Sequence, residues 1–197
     1  MNPEDKVKLC WGCLSAAYEI VRDDNLPSSL KGVWLIPSTE GATITAGNFH
    51  ILWEHRIEGK VCEPVFIPEE TVKKAKKILR AKLRERVDIV ITSSTTSLSS
   101  ETLRNKGEKL VWTQDVQVPD FARPWQLHKD SLEDRRVRKR LDLGWPVLDK
   151  LARAGRALPS KHRGHSLRWV IAGDVSYPIY FKSEDIRVLI MPVIVYE

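Results

Sequence analysis

The chain has 197 residues, 42% hydrophobic and 29% charged, proportions close to the globular average that exclude a disordered chain and predict a sizeable core. Net charge is +6, but residues 1–67 hold six Lys/Arg against nine Asp/Glu, a balance of −3, while residues 68–197 hold 26 against 17, a balance of +9. No run of about 18 apolar residues is present, which excludes a membrane-spanning helix, and three unevenly spaced cysteines exclude a disulfide framework. The acids near Met1 do not fit a signal peptide, so the expected location is a reducing compartment, cytoplasmic or nuclear.

In chain order, residues 4–23 are predicted helical: Val7, Cys10, Leu14, Ala17 or Tyr18 and Val21 recur at three- and four-residue steps. Trp11, Cys13, Ala16 and Ile20 widen the apolar surface, which predicts burial on more than one side. Val33–Ile36 suits a short strand, and Glu40-Gly41 a turn. Residues 49–57 alternate, with Phe49, Ile51, Trp53, His55 and Ile57 on one face, the period of a half-buried strand. Val61–Ile67 is its expected hairpin partner, placed at an edge by Pro64.

Pro68-Glu69-Glu70 opens a predicted basic amphipathic helix over about 69–86. Val87–Ile91 reads as a buried strand, Thr92–Ser100 as a loop, and Leu110–Val118 as an alternating strand stopped by Pro119. A C-terminal helical pair follows, 132–141 and 146–154, with a capping-box pattern at Ser131 and Asp134 and Gly155 as terminator. Leu167–Ala172 and Ile186–Val195 are strand candidates, the second interrupted by Pro192. No internal repeat is evident. The mixed order predicts an α+β fold, a mixed or antiparallel sheet packed with these helices, in one domain spanning 1–197.

Two basic segments carry the functional argument. On the first helix Lys73, Lys77, Arg80 and Arg84 fall on one side at i, i+4, i+7 and i+11; Glu69 can pair with Lys73, whereas Lys77, Arg80 and Arg84 have no acid at i−4. In the second, Arg135, Arg136, Arg138, Lys139 and Arg140 would encircle a helix. Residues 129–163 hold 11 Lys/Arg against five Asp/Glu, a balance of +6. Cations without local neutralisation suit phosphate contacts, and Trp145 beside the cluster is the candidate for base stacking. A solvated helix face, or an import signal at 135–140, are the plainer readings.

Cys10-Trp11-Gly12-Cys13 is a C-x-x-C, which serves redox or zinc chemistry. A thioredoxin-like use needs a strand leading into it, and only nine residues precede Cys10. Zinc would need Cys62 with His50 or His55, at spacings that match no compact site. Two buried thiols on an apolar helix are the expectation. Glu58-Gly59-Lys60 and Pro119-Asp120 are fragments of a metal-dependent nuclease pattern. No phosphate-binding loop, nucleophile elbow or zinc-protease helix is present, so no cofactor is expected.

The sequence therefore predicts a non-enzymatic nucleic-acid-binding protein for a polyanion, RNA ahead of DNA, with a protein partner on the acidic first third. The alternatives are a protein-interaction or structural module, such as an adaptor or small viral matrix-type protein, and a metal-dependent nuclease.

Overall fold

Val7 and Leu9 are buried while Lys6 and Lys8 point to solvent, and this alternation makes Asp5–Cys10 a strand, β1, rather than the start of a helix. The computed structural model describes residues 5–22, 25–92, 95–126, 145–159, 168–170, 179–183 and 185–191. The predicted helix over 4–23 is thus a strand followed by α1, Trp11–Val21. Its predicted burial on more than one side holds and goes further: every residue of α1 is buried.

Three strands follow α1: β2 (Gly32–Ser38), β3 (Gly41–Gly47) and β4 (Ile51–Ile57). Gly41, at φ 139°, makes the tight β2–β3 turn that a side chain would strain. The sequence reading missed β3, because Ala42, Ile44 and Ala46 are small or isolated apolar residues among threonines. On β4 the face of Ile51, Trp53, His55 and Ile57 is buried as predicted, but Leu52 and Glu54 on the other face are buried too, so the strand is not half-buried, and Phe49 lies outside it at 64% exposure. Then come β5 (Val65–Pro68), α2 (Glu69–Leu79), β6 (Arg86–Ile91), β7 (Thr96–Ser100), the short α3 (Glu101–Asn105) and β8 (Leu110–Trp112). β5 is an edge strand as Pro64 implied, yet it pairs with β2 and not β4. Thr96–Ser100 is a strand where a loop was expected, since Thr96 and Leu98 bury one face of an apparently polar stretch. The predicted strand over 110–118 stops at Trp112.

The helix predicted to reach residue 86 ends at Leu79, because Arg80 takes φ 41° and breaks the helical path. The freed segment has another use. The carbonyl of Glu85 accepts from Trp11 N at 2.8 Å and that of Leu83 from Gly12 N at 2.9 Å, satisfying amides that open α1. Tertiary hydrogen bonding overrides helix propensity here.

Residues 5–112 run through the order β-α-β-β-β twice, with the short α3 inserted before the last strand of the second half, a repeat the sequence does not betray. All strand pairs are antiparallel, and each half lends its first strand to the other. β1 joins β6, β7 and β8 in a four-stranded sheet, while β5 joins β2, β3 and β4. The helix α4 (Trp145–Ala157) is followed by β9 (Arg168–Val170), β10 (Ile179–Lys182) and β11 (Ile186–Ile190), again one helix before three strands. These extend the second sheet to seven, in the order β5-β2-β3-β4-β11-β10-β9. β10 was not expected, and the predicted helix 132–141 lies outside the described residues. The fold is α+β with antiparallel sheets, as the sequence predicts.

The core lies between α1 and the sheets, and both α2 and α4 pack against α1. Lys150 of α4, itself buried, donates to the carbonyl of Arg22 at 2.7 Å and to that of Ile20 at 3.4 Å. A cation thereby closes the negative end of α1.

Candidate docking edge

The repeat allows β4 and β8 to be compared, since each is the last strand of its half. β4 meets β11 edge to edge, with Ile51 opposite Ile190 and His55 opposite Ile186. β8 pairs with β7 and has no second strand partner among the described residues. Leu110 turns into the core, while Val111 is 53% exposed. Between β8 and α2 runs a groove of about 580 Å³ walled by Thr71, Lys74, Lys77 and Ile78 from the helix, by Leu110 and Val111 from the strand, and by Glu108 and Lys109 just before it. Three lysines, Lys74, Lys77 and Lys109, face one carboxylate, Glu108, so the groove is positive with an apolar floor. An unpaired strand edge beside such a groove can accept an added antiparallel strand.

The chain beyond β8 is anchored to the other sheet. Gln114 Oε1 accepts from Phe66 N and Gln114 Nε2 donates to Phe66 O, both at 2.8 Å. Trp112 Nε1 also donates to Phe66 O, at 2.6 Å. The exposed side of β5 is thereby sealed at Phe66. Phe66 and Trp34 pack with ring centroids 4.9 Å apart and planes tilted by 43°, on the sheet face away from α1. On the same face Glu54 accepts from Trp125 Nε1 at 2.8 Å and from Arg187 at 2.6 Å, with Arg187 over the Trp125 ring at 4.7 Å. Burial pushes the Tyr180 phenol beside them up, against the pull of Arg187.

The predicted site residues divide. Lys73 is held by Glu69 at 2.7 Å, the anticipated pair, and Lys77 lines the groove. Arg80 is exposed at the helix end. Arg84 has left the helix and lines two cavities near the start of α1, so the expected row of four cations is broken. Trp145 opens α4 and is 84% exposed. Arg135, Arg136, Arg138, Lys139 and Arg140 lie outside the described residues. Among the described residues, no group of three or more His, Cys, Asp or Glu is placed to hold a metal, so the Cys10, Cys13, Cys62 and histidine set is not assembled there. No described helix is long and apolar enough to cross a membrane. Sequence reasoning missed Ile78, Leu110 and Val111 as a site; the alternation from Leu110 was the signal, read only as a strand.

No known family and no curated protein matches the sequence. The fold does have counterparts. The chain is similar to a protein described as a DNA polymerase III beta subunit from Eubacterium rectale, at a TM-score of 0.64 and 12% identity over 96% of this chain and 65% of that one. It is similar to the sliding clamp of Bartonella birtlesii bound to griselimycin (0.63, 13%, 97% and 66%). It also resembles the DNA polymerase sliding clamp of Bacillus subtilis (0.62, 16%, 100% and 66%). The chain spans just under two thirds of the length of these proteins. The likeness overturns the expectation of an RNA-binding protein: the fold is like that of DNA polymerase sliding clamps.

Proposed function

We propose that this chain is a non-catalytic, clamp-type interaction module, acting as one unit, that docks an acidic strand of a separate protein along β8. One observation carries the reading: β4 is completed edge to edge by β11, while β8, its counterpart in the second half, has no second strand partner among the described residues. The lysines along the groove select the charge of the guest, and Ile78 with Val111 give it an apolar contact. Main-chain hydrogen bonds would supply affinity and the groove specificity. The likeness to DNA polymerase clamps also brings in DNA as a partner class, tested separately by duplex binding across a salt series.

The test uses a labelled synthetic strand peptide of alternating Val and Glu, followed by fluorescence anisotropy. Binding at least about tenfold tighter than that of a Val/Lys peptide is expected, a difference of about 1.4 kcal/mol. Val111→Pro, which cannot donate to an added strand, should abolish the preference. Equal binding of both peptides would overturn the reading.

A further inference from the structure

We infer that Cys10 and Cys13 form a dithiol–disulfide pair that exchanges with small disulfides of the glutathione class, at a cavity separate from the β8 groove. The strand that a redox C-x-x-C requires is present: β1 runs directly into Cys10. Cys10 takes extended backbone angles, φ −82° and ψ 131°, as the residue capping α1, and Cys13 lies in the first turn. Helix geometry separates Cα atoms three residues apart by about 5 Å, inside the roughly 4.4–6.8 Å window of disulfides. Both residues are thiols in this structure.

The surroundings suit thiolate chemistry. Cys10 and Cys13 line a cavity of about 520 Å³ whose wall also carries His55 and four cations, Lys8, Arg56, Arg84 and Arg86, against three carboxylates, Glu40, Glu58 and Asp185. With Arg56 paired to Glu40, Lys8, Arg84 and Arg86 stand against Glu58 and Asp185. This small cationic excess and the positive end of a helix favour a thiolate over a thiol, and the excess suits the carboxylates of a glutathione-class disulfide. Cys10 is partly exposed and Cys13 buried, which orders the steps. The turn between them is held tightly. A Cβ on Gly12 would lie 2.8 Å from the carbonyl oxygens of Leu83 and Ala157, so only glycine lets the chain close over the motif.

In the first step the Cys10 thiol gives its proton to solvent, releasing the hydrogen bond its Sγ donates to the Leu83 carbonyl at 2.8 Å. The thiolate attacks one sulfur of the small disulfide, forming a mixed disulfide and expelling one small thiolate. In the second, Cys13 gives its proton to solvent and its thiolate attacks Cys10 Sγ, closing the Cys10–Cys13 bond and expelling the second small thiolate. The two expelled thiolates take up the two protons from solvent. The protein dithiol is oxidised by two electrons and the small disulfide is reduced to two thiols.

The experiment incubates the folded full chain in glutathione buffers of increasing oxidised fraction, quenches with acid and alkylates the remaining thiols. Peptide mass spectrometry follows. Expected are a Cys10–Cys13 peptide lighter by two hydrogens and, in Cys13→Ser, a glutathione adduct on Cys10. Exposed Cys62 reports that oxidant reached the protein. Cys62 glutathionylated while Cys10 and Cys13 are both alkylated would overturn the inference. So would a bond from Cys62 to either, or a Cys10–Cys13 bond that forms only after unfolding in urea.

Discussion

Gln114 completes the hydrogen bonding of Phe66: one side-chain amide answers both the N–H and the C=O of that residue at 2.8 Å. A single glutamine thus does locally what a paired strand would do for β5, and it ties the chain leaving the four-stranded sheet to the edge of the seven-stranded one. Phe66 is buried, so its amide has no ready substitute in water.

Gln114→Ala is therefore expected to destabilise the fold by about 1–3 kcal/mol, the cost of a buried donor left unsatisfied. Chemical denaturation measures it, and a change within about 0.5 kcal/mol of zero would mean that water repairs the loss.

Arg187→Ala removes a charge-assisted partner of the buried Glu54 carboxylate. Trp125 Nε1 still donates to Glu54 in that variant. A loss of about 1–3 kcal/mol is expected, with a shift in tryptophan emission as the Trp125 ring loses its cation. Glu54→Gln, which keeps an acceptor for the indole, should lose less.

Arg80 is the one described residue other than glycine at positive φ. Such a conformation costs a side chain on the order of 1–3 kcal/mol, against about 0.5–1 kcal/mol for the freedom that glycine loses on folding. Arg80→Gly should raise stability by about 1 kcal/mol in thermal or urea unfolding. A loss of that size would show that the side chain earns its strain.

Burial pushes the Glu85 carboxyl up, but hydrogen bonds from Ser100 and Thr102 and the nearby Lys82 outweigh it, so its pKa is lowered from the ordinary value. A depressed carboxyl stabilises the fold above its unfolded-state pKa, and that contribution is lost as pH falls through the folded-state value. The native chain should therefore lose stability more steeply than Glu85→Gln as pH drops below about 4.3. Parallel acid limbs would remove Glu85 from the account.

Much of the frame was readable where one period dominated. β4 and β6 announced themselves by alternation and β-branched residues, and α1 by an apolar surface too wide for one-sided burial. The failures share a cause. Residues 5–10 carry both periods, since Val7, Cys10 and Leu14 suit a helix while Val7 and Leu9 suit a strand; pairing with β6 decides it. Leu83 and Glu85 leave α2 because their carbonyls are needed by α1, a demand from 70 residues away that no local pattern carries. β7 hides because its buried positions are threonine and serine as well as leucine. The docking edge was legible only as an exposed valine in an alternating run, since its significance depends on what β4 does in the other half.

The most direct measurement is backbone amide hydrogen exchange over residues 110–112 with and without the Val/Glu strand peptide. Docking along β8 predicts slowed exchange in that segment, with the already paired β4 unchanged. Protection elsewhere with 110–112 exchanging as before would contradict it.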